Sequence, residues 1–191
     1  MRLGRHIYNK WFFRAIMTYA KPNSDILELG CGTASLGNRL AGRLRSYSGL
    51  DLSGSALAKA KCRSKKKNIH FIHGDMYESN FRPIYDIVWS QGLLEHFPNP
   101  SEVVERHLTA CKRGGTVLIS VPWLYSYFPI WYVMTRPRCF RRFWPWTEQQ
   151  FFSRQNLDVI MRQVDSREFQ HYRIFLIKPR LLGIIFLEIK K

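Results

Sequence analysis

Thirteen residues, Asp25-Ile-Leu-Glu-Leu-Gly-Cys-Gly-Thr-Ala-Ser-Leu-Gly37, constrain this chain more than any other stretch. Ile26 to Leu29 is a short apolar run that carries one acid, Glu28, and passes directly into Gly30-Cys31-Gly32. Beyond the glycines, Leu36, Leu40 and Leu44 recur four residues apart. Strand, tight turn and amphipathic helix in that order make the first half of a nucleotide-binding βαβ unit. Glycine belongs in the turn because the chain reverses sharply and a ligand must approach the backbone without meeting a Cβ.

The turn separates two ligand classes. A dinucleotide site uses Gly-x-Gly-x-x-Gly so that a pyrophosphate sits on the helix N-terminus. Here the third of those positions is Ser35, and the carboxylate of Glu28 would repel a diphosphate while attracting a positively charged ligand. Farther along, Tyr47 to Asp51 and Ile69 to Asp75 are two more short strands that end in acids, and Asp51 lies about twenty residues past the glycines, where a carboxylate in this fold accepts from ribose hydroxyls. Tyr85 to Ser90 and Thr116 to Val121 supply a fourth and a fifth strand, and Arg167 to Ile177 and Gly183 to Ile189 alternate as a closing antiparallel pair. The fold expected is α/β, a Rossmann-like doubly wound sheet of seven strands with a C-terminal antiparallel hairpin, in one domain spanning 1–191.

Glu28-x-Gly30-x-Gly32, followed by acids closing the second and third strands, resembles the class I S-adenosylmethionine-dependent methyltransferases. That family often has a third glycine where this chain has Ala34. The resemblance covers nearly the whole chain and implies S-adenosyl-L-methionine as cofactor. It places Glu28, Gly30, Cys31 and Gly32 at the methionine end, Asp51 and Leu52 at the ribose, and Asp75 and Met76 at the adenine. Ser90 and Gln91 would border the cofactor at the end of the fourth strand.

The loop after that strand, Gln91-Gly-Leu-Leu-Glu95-His96-Phe97, offers His96 as a general base, since an imidazole titrates near neutrality. Family members that methylate quinone precursors resemble this loop but hold a metal through Glu-x-x-Glu-His. Gly92 stands where the first of those acids would be, so no metal is expected. The four cysteines, Cys31, Cys62, Cys111 and Cys139, lie far apart with no C-x-x-C pair and are expected to be reduced thiols of a cytoplasmic protein.

Composition enters with the acceptor. Thirty Lys and Arg against fourteen acids leave a net charge of +16, a field that favours anionic partners without choosing among them. Residues 1–24 contain five bases and no acid, and Ile7, Trp11, Ala15 and Tyr19 recur every four residues, so an N-terminal helix is expected to pack on the sheet. Lys59 to Lys67 holds six bases in nine, the pattern of a solvated helix end. The segment 122–152 is the expected cap over the acceptor. Pro122 to Trp146 carries ten aromatics and the arginines 136, 138, 141 and 142, a mixture that suits a lipophilic or anionic acceptor or an anionic membrane surface met peripherally. Nucleic acid stays open as a partner, although base-amino methyltransferases place Asn/Asp-Pro-Pro-Tyr/Phe where this chain has Ser90-Gln91-Gly92-Leu93. A non-catalytic cofactor-binding module is a further alternative. The acceptor's identity and the oligomeric state do not follow from these residues.

Overall fold

The computed structural model describes residues 2–134, 149–176 and 183–191, with the side chains of 2–8, 128, 131, 132 and 134 outside the description. Seven strands form one sheet: β1 (Asp25–Leu29), β2 (Ser46–Asp51), β3 (Ile69–His73), β4 (Tyr85–Gln91), β5 (Cys111–Pro122), β6 (His171–Leu176) and β7 (Ile184–Lys190). Their order is β3-β2-β1-β4-β5-β7-β6. Pairings from β3 through β5 are parallel, while β7 runs antiparallel to both β5 and β6. The order reverses beside β1, and β1 and β4 end there side by side: this is the topological switch point at which open α/β sheets bind ligands.

Helices α1 (Arg2–Tyr19), α2 (Gly37–Ala41), α3 (Gly54–Arg63), α4 (Pro100–Ala110), α5 (Tyr127–Met134) and α6 (Arg154–Gln163) accompany the strands. Two apolar clusters form the core, one on each face of the sheet. On one, Val104 and Leu108 of α4 and Leu157 and Met161 of α6 pack with Leu27, Val88, Val117 and Leu187. On the other, α1 and α2 cover Ile26, Trp89, Leu118 and Phe186. Strands β1 and β4 are near-continuous apolar runs because helices cover them from both sides.

Helix α1 packs on the sheet as expected, but through a different row of side chains. Phe12 and Ile16 are fully buried, and the Phe12 ring lies 6.1 Å from Trp89 and 5.0 Å from Phe186. Trp11, Ala15 and Tyr19 flank them half-buried, and Ile7 lies outside the described side chains. Helix turns advance 100° per residue, so a row spaced by four winds around the helix rather than marking one face.

A serine caps two of the helix starts. Ser53 caps α3 by accepting from the Ala56 amide at 3.2 Å, and Ser153 caps α6 in a reciprocal box with Asn156. At α4, Asn99 precedes Pro100 but does not cap the backbone; its side-chain amide instead donates to Glu102 Oε1 at 3.1 Å. Strand β5 begins earlier than its apolar run, at Cys111. The register jumps from Tyr85↔Cys111 to Ile87↔Thr116, so the Lys112–Gly115 turn is accommodated as a bulge. Strand β6 starts later than the alternation implies, because Ser166–Glu168 forms a 3-10 turn closed by Asp165.

Candidate functional site

The site forms where β1, β2 and β4 end. Gly30 and Gly32 adopt φ +67° and +51°, the left-handed region that favours glycine. The residue standing for the family's third glycine, Ala34, is also left-handed at φ +45°. A Cβ on Gly30 would come within 2.7 Å of Leu93 Cδ1, so the loop after β4 closes directly onto the turn. A Cβ on Gly32 would meet nothing within 4 Å. The turn is therefore packed underneath and open above, the shape needed for a ligand to lie on its backbone.

Two acids belong to this turn. Asp51, at the end of β2, accepts from the Gly32 amide at 2.6 Å through one oxygen and from the Ser53 amide at 2.8 Å through the other. Each oxygen keeps a free lone pair for a ligand hydroxyl. Glu28 is buried below the turn and accepts a hydrogen bond from the Tyr47 hydroxyl. Burial pushes its carboxyl up to about 8; the Tyr47 bond opposes this and the nearby Asp51 charge reinforces it. A cation arriving beside Glu28 would restore the carboxylate. Burial and the charges of Glu28 and Asp51 also drive the Cys31 thiol far above its ordinary range, so Cys31 is a small apolar group here, not a nucleophile.

The remaining positions divide. Leu52 is exposed beyond β2, with its carbonyl 3.0 Å from His73 Nε2. Asp75 is half-buried after β3 and accepts from the Tyr77 amide at 2.8 Å. Met76, expected against an adenine, turns its side chain into the core at 4 % exposure, while its carbonyl accepts from Arg106 of α4. Ser90 is fully buried and its hydroxyl lies 2.9 Å from His107 Nε2. His107 Nδ1 faces the Val103 carbonyl at 2.7 Å and burial lowers the imidazole to about 4, so the ring is neutral and Ser90 donates to it. The Ser90 hydroxyl thus locks β4 to α4 and is turned away from solvent. Gln91 is half-buried at the strand end.

His96 is exposed in the 3-10 turn Leu94–His96. Its neighbour Glu95 is the reverse: 5 % exposed, with Oε2 lacking any hydrogen-bond partner. Sequence reasoning passed over Glu95 as half of a Glu-His pair, since nothing in the residue order tells which of the two points inward. Among the described residues no group of three or more His, Cys, Asp or Glu side chains is placed to hold a metal ion. The donors do fit S-adenosylmethionine: an acid for its ammonium, an acid for its ribose, and an open left-handed backbone between them.

Comparison with known proteins agrees with this geometry. Residues 26–115 match the family model described as a methyltransferase domain. The chain is 33 % identical over 102 residues to a ubiquinone biosynthesis O-methyltransferase of Hydrogenovibrio crunogenus, covering 51 % of this chain and 42 % of that protein. It is 32 % identical over 99 residues to the Paraburkholderia phytofirmans protein of the same description, at 50 % and 43 % coverage. The chain thus spans well under half the length of these relatives. Among solved structures, magnesium protoporphyrin IX methyltransferase from Synechocystis with bound S-adenosylhomocysteine superposes with a TM-score of 0.73 at 16 % identity, covering 100 % of this chain and 85 % of that one. An S-adenosylmethionine-dependent methyltransferase from Mesorhizobium loti gives 0.72 at 15 % identity, covering 96 % and 98 %. At such identity these two show the fold. Sheet order, glycine turn and family match together identify a class I S-adenosylmethionine-dependent methyltransferase domain in this chain.

Proposed function

We propose that the chain transfers a methyl group from S-adenosylmethionine to an oxygen of a small or lipophilic acceptor. The observation that carries this reading is the pairing of Glu28 and Asp51 across an open Gly32. Glu28 would hold the ammonium, Asp51 the ribose hydroxyls, and the Gly30–Gly32 backbone the chain between them. When bound, the cofactor supplies an electrophilic methyl on a sulfonium. The protein must then hold the acceptor oxygen in line with that methyl, and orientation of this kind supplies much of a rate. The oxygen acceptor is the chemistry named for the relatives with which half of this chain aligns.

The apolar end of the cap supports a lipophilic acceptor drawn from an anionic membrane surface. Helix α5 contains no charged residue, and Ile130 and Val133 on it are 64 % and 65 % exposed. The arginines 136, 138, 141 and 142 follow it in sequence but lie outside the described residues, as do Trp144 and Trp146. No helix of the described residues is long and apolar enough to cross a membrane, so the contact would be peripheral. An RNA acceptor is the second reading, and the +16 charge is what favours it.

Calorimetric titration with S-adenosylmethionine, S-adenosylhomocysteine and NAD, on wild type and Asp51→Ala, tests the cofactor assignment. Both sulfur ligands should bind the wild type and neither the variant; binding of NAD alone, or of none, overturns it. Sedimentation with anionic vesicles, compared between wild type and Ile130→Glu/Val133→Glu, tests the surface. RNA binding that weakens steeply with salt, with no vesicle binding, would select the second reading.

A further inference from the structure

We propose that the end of the sheet opposite the cofactor site docks the phosphate backbone of a nucleic-acid strand, which binds there without being the methyl acceptor. The inference goes beyond the methyl-transfer reading above and stands independently of it.

Charge among the described residues is sorted by the two ends of the strands. The glycine turn lies at the carboxyl ends of the parallel strands. The segments that leave the sheet at that end, 30–36, 52–53, 74–78, 92–99 and 123–126, hold Asp75, Glu78 and Glu95 and no Lys or Arg. The segments that enter strands at the other end, 20–24, 42–45, 64–68, 79–84, 112–115 and 164–170, hold ten Lys and Arg. Lys190 and Lys191 join them, because β7 runs antiparallel to β5. Four of these bases meet an acid: Arg45 with Asp25, Lys112 with Asp86, Arg167 with Asp165, and Lys191 with Glu168. Lys21, Arg43, Arg82, Arg113 and the run Lys65–Lys67 have no acid partner among the described residues. Helix C-termini favour bases, but that attraction fades beyond the last turn. Arg82 follows no helix, and Lys65–Lys67 and Arg113 lie two to four residues past theirs.

Every strand has a base at this end, so the bases form a row. Neighbouring strands lie about 4.8 Å apart, which makes the row about 29 Å long. Adjacent bases stand within a Debye length, about 8 Å at physiological salt, and their fields add. Strands of five to seven residues separate the row from the glycine turn, a distance of about 16–23 Å at 3.3 Å per residue, so salt screens the row from the cofactor end.

The row is fastened at both ends. Asn68 Nδ2 donates to the carbonyls of Ala41 at 2.8 Å, Leu44 at 3.1 Å and Arg45 at 3.2 Å, tying the entrance of β3 to that of β2. Lys66 lies across Gly42, where a Cβ would stand 3.5 Å from its Nζ. Toward the other edge, the Gly114 amide donates to the Lys191 carbonyl at 2.7 Å and the Lys191 amide to the Gly115 carbonyl at 3.2 Å. There the surface is concave. A groove of about 540 Å³ is lined by Arg113, Arg167, Lys191, Phe169 and Gln170, and its acid, Glu168, lies 3.5 Å from Lys191 Nζ. This shape selects the partner. A bilayer is flat and takes up apolar side chains, whereas Ile84 is the one exposed large apolar side chain in the segments of this end among the described residues. The exposed apolar residues of α5 follow the carboxyl end of β5, so a membrane met there cannot reach the row. A phosphate strand carries its charges in a line and follows a basic groove.

Fluorescence anisotropy of a labelled oligouridylate over a salt series tests the surface. Three variants are compared with wild type: Lys65→Gln/Lys66→Gln/Lys67→Gln and Arg82→Gln/Arg113→Gln in the row, and Lys10→Gln/Arg14→Gln/Arg154→Gln off it. Affinity for a single strand falls as about the 0.7 power of salt for each phosphate engaged. The row triple variant should therefore lose about two from the wild-type slope, so that a fourfold rise in salt costs it about 20-fold less affinity than it costs wild type. The row double variant should lose about 1.4 from the slope. The off-row variant should keep the wild-type slope, and all three should bind S-adenosylhomocysteine as wild type does, showing the fold intact. Equal losses in the two triple variants would mean unspecific attraction. An unchanged slope in the row variants would put the strand elsewhere, the acceptor mouth included. A wild-type affinity that changes less than about tenfold over the fourfold range engages too few phosphates for a row. Each of these overturns the proposal. So does binding of anionic vesicles, but not of oligouridylate, that the Lys65–Lys67 substitutions abolish, which would assign this end to a membrane.

Discussion

Cofactor affinity should depend on pH through Glu28, and the direction follows from the fold. Burial holds this carboxyl at about 8 in the free protein, so at neutral pH it carries a proton that a bound ammonium must expel. At pH 6 about 1 % of Glu28 is ionised and at pH 7.5 about a quarter, so the carboxylate alone makes binding about 25-fold tighter at the higher pH. The α-amine of S-adenosylhomocysteine stands beside a free carboxylate, which holds it above the polypeptide α-amino range, so it stays protonated over that span and the gain remains about 25-fold, or about 1.9 kcal/mol. S-adenosylhomocysteine is the ligand of choice, having the same amine and ribose without a reactive methyl. Calorimetry at pH 6.5 in buffers of different ionisation enthalpy should count about one proton released per ligand bound. In Glu28→Gln the slope should vanish. Removing the Tyr47 hydroxyl, which favours the ionised form, should move the wild-type curve to higher pH. Affinity that is flat from pH 6 to 7.5 in wild type, with no proton released, would refute the placement of an ammonium on Glu28.

Four other substitutions separate folding from binding. Gly30→Ala forces a Cβ against Leu93 at φ +67° and should cost about 1–2 kcal/mol from backbone strain alone, whereas Ala34→Gly should relieve a φ of +45° and raise stability by up to about 1 kcal/mol; urea titration reads both. Phe12→Ala should cost about 3–5 kcal/mol, because the ring is buried between Trp89 and Phe186, and a loss below 1 kcal/mol would mean α1 contributes little to the core. Ser90→Ala leaves His107 Nε2 unpaired and should destabilise by about 1–3 kcal/mol while S-adenosylhomocysteine affinity stays within twofold; a tenfold loss of affinity would return Ser90 to the cofactor's contacts.

How much of this was legible in the residue order depends on what each feature needs. Strands are local: Ile26–Leu29, Tyr47–Asp51 and Tyr85–Ser90 are short apolar runs between turn residues, and all three lie in the sheet within a residue of their apolar limits. The glycine turn was legible for the same reason, since a left-handed backbone restricts the residue type. Sheet order is not local, and no pattern within the strands themselves carries it. The orientations that the residue order does not carry share one cause. Ser90 and Gln91, Met76 and Leu52, and Glu95 and His96 are each assignments between the inside and outside of a loop or strand end, where one residue's rotation exchanges the two faces. At Ser90 the deciding partner is His107, seventeen residues away on another element. At Glu95 it is the vacancy made by Gly92 and the backbone bond from Gln150. The Glu-His pair was therefore visible as a pair, but which of the two the fold buries was not. A titrating imidazole draws attention by its free-solution chemistry, whereas a glutamate titrates near neutrality only after the fold has buried it. Composition carries no trace of that burial, which is why the residue singled out from the sequence is the exposed one.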